Sequence, residues 1–457
     1  MNEIAWLSAA ELASAYRTRE LSPVTVVEHL LERISGLDAR VNVFVHLDVE
    51  GALRQAREAE TSILAGRDHG PLHGIPVGIK DIIDVAGLPT TCHSRMLTDN
   101  IAKEDAECVA RLRDAGAIIL GKVATHEFAI GGPSFDLPYP PARNPWNLDH
   151  HPGGSSSGSG AGLAAGFFPL ALGTDTGGSV RNPAGACGVI GLKPTYERVS
   201  RKGVFPLSWT LDNVGPMGRR VEDVSLFLDA LTGKAHSTSR LARDIAGMRI
   251  GFVRKFHEQD YVAGPDTAAA LETAANVLAE LGAIVTDIEL PPLQDFAAVS
   301  RTILTSEGWS IHGEAMRAHP QKYGMLSRQR LLVGAFITAE NYIRARMLAA
   351  KLRQDVDDAF RGVDVLLAAN AMNPACRIDD EKAIVTNYLQ HARAPFNVTG
   401  HPALSMMCGL SQQGMPIAMQ LIGPRQREDV VFRVAAAYER ATDWIVMRPP
   451  GFVGSTC

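Results

Sequence analysis

The chain has 457 residues, 46 % hydrophobic and 21 % charged, with a formal net charge of −5. This is an ordinary globular composition able to bury a large core, and its slight acidity gives no reason to expect nucleic acid or an anionic membrane surface as a partner. No apolar run approaches the roughly 18 residues of a membrane span, the N-terminus lacks the basic start and apolar core of a secretory signal, and six scattered cysteines without a C-x-x-C pair fit a reducing cytoplasm.

Ser8-Ala9-Ala10-Glu11 has the form of a capping box, in which serine and glutamate side chains satisfy each other's backbone N–H, so a helix starts here with Leu7 as its staple. Ser22-Pro23 supplies an N-cap and a proline at the first helical position, and Val27, Leu30, Leu31 and Ile34 follow at helical spacing. A third helix is predicted at 50–65, stopped by Gly66, so residues 1–65 read as a helical N-terminal segment. From Gly74 short apolar runs alternate with helices: a strand at 77–79, a helix at 105–115 with Val109 and Leu112 inward, and a strand at 117–120. The stretch 127–152 is rich in Pro, Gly and aromatics, and a loop of that length inside a compact domain is usually functional.

After the glycine-rich stretch 153–195, residues 211–217 read as a turn region, 221–231 as a helix and 235–240 as a surface connection. Strands at 249–253, 284–290, 363–369, 403–408 and 417–422, helices at 267–281 and 428–441, and a mainly helical stretch at 300–360 complete the chain. No repeat or low-complexity segment interrupts this order. Such βα alternation argues a layered α/β protein with a central sheet.

The stretch 153–195 carries glycine and serine at both ends of an apolar run, which suits a backbone that turns tightly and approaches something closely. Gly160-x-Gly162-x-x-Ala165 matches a dinucleotide fingerprint, but no strand precedes it, and no Gly-Lys-Ser/Thr follows to make a P-loop. Gly154-x-Ser156-x-Gly158 fits a nucleophile elbow, yet the preceding 147–152 is a loop rather than a buried strand. The histidines offer no metal pattern: Gly70 and Pro71 separate His69 from His73, His126-Glu127 lacks a second histidine, and His150-His151 is a loop pair.

The stretch closely resembles the signature of the amidase signature family of serine hydrolases. The matching pieces are Gly153-Gly154-Ser155-Ser156, Gly173-Thr174-Asp175-Thr176-Gly177-Gly178-Ser179-Val180-Arg181, Cys187-Gly188 and Gly191-Leu192-Lys193-Pro194-Thr195, with Val77-Gly78-Ile79-Lys80-Asp81 upstream at the family's spacing. Pro395-Phe396-Asn397-x-x-Gly400-x-Pro402-Ala403 and Gly414-x-Pro416-Ile417-x-x-Gln420-Leu421-Ile422-Gly423 look like its C-terminal pattern, so the likeness spans nearly the whole chain and is weakest at 235–390. Ser157 departs from the family's usual glycine, and Gly160 from a common alanine.

The resemblance implies one α/β/α domain over 1–457 around a large mixed sheet, with a catalytic core at 66–232, a C-terminal part of the same sheet at 235–457, and a substrate-shaping helical region near 300–390. It implies a serine–serine–lysine arrangement in place of a Ser-His-Asp triad. Ser179 attacks an amide carbonyl, Ser155, held by a cis peptide after Gly154, relays the proton, and neutral Lys80 takes it. Lys80 must be neutral to act as a base, and burial beside Ile75, Val77 and Ile79 would lower its pKa, against any opposition from Asp81 or Asp84. Backbone amides of Thr176, Gly177, Gly178 and Ser179 are expected to form the oxyanion hole. Asp175 and Arg181 are expected to pair and hold the loop, Ser156 to support the lysine–serine network, and Cys187 to be a small core residue.

Trp209, with Phe205, Pro206 and Leu207, is expected to line an acyl pocket whose other wall comes from Phe128, Ala129, Ile130, Phe135 and Tyr139. The resemblance implies a stand-alone cytoplasmic hydrolase of amides, esters or carbamates that forms an acyl-enzyme, and those apolar walls suit apolar groups on its substrate. It would act on small molecules without cofactor, metal, nucleic acid or membrane, as a monomer or homodimer. The alternative is the glutaminase subunit of a tRNA-dependent amidotransferase, suggested by likeness around Asn144-Pro-Trp-Asn147 and Thr195-Tyr196-x-Arg198-Val199-Ser200.

Overall fold

Eleven strands join in one mixed sheet in a computed structural model that describes residues 4–234 and 237–453. In chain order they are β1 (Phe44–Leu47), β2 (Pro76–Lys80), β3 (Ile118–Val123), β4 (Leu170–Asp175), β5 (Ile190–Lys193), β6 (Asn213–Gly218), β7 (Arg249–Phe252), β8 (Ile284–Asp287), β9 (Val365–Ala369), β10 (Ala403–Leu410) and β11 (Pro416–Ile422). Their order across the sheet is β1-β3-β2-β4-β6-β5-β10-β11-β9-β7-β8. β2 runs parallel to both β3 and β4, whereas β4–β6 and β5–β10 are antiparallel.

Helices cover both faces, and the pleat shows it. Leu170 and Leu172 enter one buried apolar cluster while Ala171 between them enters another, and Ile119 and its neighbours Ile118 and Leu120 divide in the same way. Strands buried on both sides read as continuous apolar runs, which is why β2 and β3 are legible in the sequence.

The N-terminal caps form as their chemistry dictates. Ser8 N–H donates to Glu11 Oε2 at 2.7 Å and Glu11 N–H to Ser8 Oγ at 3.0 Å, opening the helix Ala9–Thr18. Ser22 Oγ accepts from Thr25 N–H at 3.1 Å ahead of the helix Pro23–Val41.

Two strands depart from expectation. Residues 213–218 form β6 where a turn was expected, fully buried between β4 and β5. Its Gly215 reflects close packing, since a Cβ there would meet Leu192 O at 2.4 Å. β1 is a half-buried four-residue edge strand antiparallel to β3, too short to show a period. The connection expected at 235–240 falls in part on 235 and 236, outside the described residues. The C-terminal helical region begins earlier than expected, with Leu293–Ala318, then Met325–Leu332, Ala339–Ala359 and Glu381–Leu389. Among the described residues no helix is long and apolar enough to cross a membrane.

Candidate active site

β2 ends at Lys80 and the neighbouring β4 continues to Asp175, so the two strand ends deliver their side chains to one place. Lys80 is completely buried; its Nζ donates to Ser155 Oγ at 2.8 Å and to Thr174 Oγ1 at 2.7 Å. Ser155 follows a cis Gly154–Ser155 peptide, and its carbonyl accepts the His126 N–H at 3.0 Å. Gly154 must be glycine, because a Cβ would fall 2.1 Å from His126 Cε1.

Ser156 Oγ donates to the Thr174 carbonyl and accepts the Thr174 N–H, both at 3.2 Å, and Ser156 N–H donates to Ser179 O at 3.2 Å. The serine loop and the loop after β4 are thereby laced together. Ser179 sits half-buried on the second loop, facing the cleft.

Burial pushes Lys80 down to about 7, opposed by the charges of Asp175 and Asp212. Asp81 does not supply the opposition considered from the sequence. It turns to Lys122, 3.2 Å away and equally buried, and accepts from Thr91. Asp175 is fixed by Arg181, with Nη2 to Oδ1 at 3.0 Å and Nε to Oδ2 at 3.1 Å, and by Asn397 Nδ2 at 2.8 Å. Although burial works the other way, the Arg181 charge and these hydrogen bonds hold its carboxyl well below the ordinary range.

Asp175 also orders the oxyanion loop, accepting the N–H groups of Gly178 at 2.8 Å and Val180 at 3.1 Å. The Gly178 amide, expected to face an oxyanion, is therefore occupied within the protein. The amides of Gly177 and Ser179 have no protein partner among the described residues.

A cleft of about 420 Å³ opens over Ser155 and Ser179. Thr176, Gly177, Gly178 and Ala129 line it as expected, with Ile130, Gly131 and Leu207. The acyl-pocket expectation otherwise needs correction. Trp209 is 59 % exposed and lines, with Phe205 and Pro206, a small adjoining cavity that shares Ala129, Thr176 and Leu207 with the cleft, while Phe135 lies out in solvent and Tyr139 packs on His93. The outer walls come instead from Ser300, Arg301, Leu304, Gln329, Arg330, Val333, Val385, Tyr388, Leu389 and Arg393.

Three arginines thus meet the cleft, and no aspartate or glutamate does among the described residues. Arg330 is half-buried, lies 5.7 Å over the Tyr388 ring and has no carboxylate partner among the described residues. Sequence reasoning missed Thr174, His126, Arg330 and Arg393. Thr174 stands inside the quoted motif and was open to notice, whereas the others carry no local signal.

The competing nucleophiles fall away on geometry. Ser156 is fully buried and spends its hydroxyl on Thr174, and Cys187 is buried with its thiol donating to Pro152 O at 3.3 Å and pushed up by burial. Among the described residues one set of possible metal ligands converges, His257, Glu258 and Glu272. None of them lines the cleft, and Arg254 already pairs with both glutamates.

A layered α/β fold that joins a buried lysine, two serines and a glycine-rich amide loop defines a hydrolase of amide C–N bonds. The chain belongs to the Amidase family, whose profile matches residues 25–432. It is 39 % identical to a glutamyl-tRNA(Gln) amidotransferase subunit of Roseiflexus castenholzii, covering 98 % of each chain. Among solved structures it resembles the corresponding glutamyl-tRNA(Gln) amidotransferase subunit from Thermotoga maritima (29 % identity, 96 % of this chain and 95 % of that one, TM-score 0.79). It also resembles the peptide amidase of Stenotrophomonas maltophilia (30 % identity, 98 % and 99 %, TM-score 0.85).

The amidotransferase relatives overturn the expectation of a stand-alone hydrolase of apolar amides, esters or carbamates acting without nucleic acid as a monomer or homodimer. The identity to the Roseiflexus subunit, 39 % over 98 % of both chains, is higher than the 30 % to the peptide amidase over a similar span. Trp209 and Phe205 do not line this cleft, whose apolar lining comes from residues such as Ile130, Leu207, Leu304 and Val333, and three arginines meet it.

Proposed function

We propose that this chain is the glutaminase subunit of a tRNA-dependent amidotransferase. In this reading it releases ammonia from glutamine in the cytoplasm for transfer onto glutamyl-tRNA(Gln) by partner subunits. The observation that carries the reading is 39 % identity over 98 % of both chains with a glutamyl-tRNA(Gln) amidotransferase subunit. Arg330 supports it, because a half-buried guanidinium in the cleft, with no carboxylate partner among the described residues, is suited to the α-carboxylate of glutamine.

In this reading Ser179 Oγ attacks the side-chain amide carbon and the oxygen takes up negative charge before the Gly177 and Ser179 amides. Ser155 accepts the Ser179 proton while passing its own to neutral Lys80. A lysine titrating near 7 holds a free lone pair in a useful fraction of molecules at neutral pH. Thr174 Oγ1 holds Nζ in line with Ser155. The relay then returns a proton to the departing nitrogen, ammonia leaves, and water attacks the acyl-enzyme with the same groups acting in reverse.

One observation favours a second donor class. Because no carboxylate lines the cleft among the described residues, an α-ammonium would meet only neutral acceptors such as Ser300 and Gln329. A primary amide bearing a carboxylate but no amino group would avoid that cost. The test is to rank glutamine, glutaric acid monoamide and acetamide by kcat/KM on the chain assembled with its partner subunits. Glutamine first supports the glutaminase reading, the monoamide first selects the second donor class, and acetamide first defeats both.

A further inference from the structure

Arg393 has no place in the mechanism so far, yet it is one of the largest fully buried side chains and it lines the cleft. Its stem lies directly on the oxyanion loop: a Cβ on Gly178 would stand 2.6 Å from Arg393 Nε and 2.7 Å from its Cδ. One guanidinium nitrogen, Nη1, donates to Asn370 O at 2.8 Å, and Nε has no partner among the described residues. No carboxylate lies within ion-pairing distance among the described residues. The nearby acid Asp175 is already paired with Arg181, whose Nη1 donates to the Arg393 carbonyl at 2.9 Å.

A buried cation without a counter-charge is costly in general, and Arg393 carries its charge with no carboxylate beside it among the described residues. The loop beneath it holds Gly178 at φ +122°, with the Gly178 amide committed to Asp175. That leaves few N–H donors for an oxyanion.

We infer that Arg393 is a positioning residue for amide hydrolysis, clamping Gly178 so that the Gly177 and Ser179 amides face the carbonyl oxygen and placing a fixed positive charge behind them. The counter-charge arises only in the tetrahedral intermediate, when the carbonyl oxygen becomes anionic. The desolvation cost is then offset at the transition state rather than in the resting enzyme. The inference rests on Ser179 as the nucleophile but not on the identity of the amide donor.

The test uses Arg393→Met, which keeps the length and removes the charge, and Arg393→Lys, which keeps the charge, in the assembled enzyme. Two readouts are needed: kcat and KM for the best amide, and the inactivation rate with an uncharged fluorophosphonate, which forms an oxyanion at Ser179 without an amide or carboxylate. The expected result is a fall of about thirtyfold or more in kcat and in inactivation rate for the Met variant. KM should stay within about twofold, and the Lys variant should recover most of the loss at an unchanged melting temperature. A Met variant with wild-type inactivation rate would overturn the inference. So would a loss confined to KM for carboxylate-bearing amides, which makes Arg393 a substrate anchor, or equal loss and equal melting-point depression in both variants, which makes it structural. Glutamine turnover speaks separately to the proposed function, since the probe rate is independent of the donor.

Discussion

Replacing Thr174 with valine tests the lysine–serine relay at its least obvious point. The substitution keeps the β-branched shape in a fully packed position at the end of β4 and removes only the hydroxyl that accepts from Lys80 Nζ at 2.7 Å. Losing one partner of a buried, charge-bearing group costs about 1–3 kcal/mol. At 1.4 kcal/mol per tenfold, that is a drop of about 5- to 150-fold in kcat/KM if the bond matters in the transition state.

The pH profile carries a second signature. An acceptor stabilises the ammonium form, so its removal lowers the Lys80 pKa further below about 7, and the acid limb of activity should move to lower pH. The assay is initial-rate ammonia release from glutamine between pH 5.5 and 9 on the assembled enzyme, with a thermal melt to confirm the fold. Wild-type kcat/KM with an unmoved limb would refute the assignment of Lys80 as the base held by Thr174.

Other expected outcomes follow from the same geometry. In the unmodified enzyme, activity should rise about tenfold from pH 6 to pH 8 as Lys80 loses its proton. Lys80→Arg should be inactive at every pH because a guanidinium stays charged. A fluorophosphonate should label Ser179 and nothing in Ser179→Ala, as read by peptide mass mapping; an adduct on Ser156 would restore the elbow reading. Arg330→Met should raise KM for glutamine about tenfold or more with little change in kcat, and an unchanged KM would remove the carboxylate anchor. Gly178→Ala should lower stability by about 1–3 kcal/mol and suppress turnover, because its φ of +122° suits glycine and its Cβ would collide with Arg393.

The sequence carried the parts of this protein that depend on local pattern. Buried β2 and β3 stand out as apolar runs, and the caps at Ser8 and Ser22 as side-chain chemistry. Lys80, Ser155 and Ser179 stand out through a motif whose glycines and serines fix a close-packed backbone. β6 was missed because Gly215 and Pro216 read as turn residues, although Gly215 lies close against the backbone of β5 and Pro216 pairs with Leu172 of β4. The cleft walls were misplaced for a different reason. The expectation for Trp209 rests on the acyl pocket of the resembled family and that for Phe135 on an aromatic-rich loop after Glu127, and neither fixes where an individual side chain lies. The walls are set by helices more than a hundred residues downstream, where no local pattern marks Arg330 or Arg393. Lys122 likewise gave no sign that it would neutralise Asp81 and leave Lys80 free of it.

The central claim is that this chain supplies amide nitrogen within a larger enzyme. The most direct measurement combines the purified chain with the partner subunits that the proposed function requires, glutamyl-tRNA(Gln), ATP and glutamine labelled with ¹⁵N in its side-chain amide. The account predicts ¹⁵N-labelled glutaminyl-tRNA(Gln), abolished by Ser179→Ala and restored to that variant by ¹⁵N-labelled ammonium. Unlabelled tRNA with vigorous hydrolysis of amides by the isolated chain alone would contradict it.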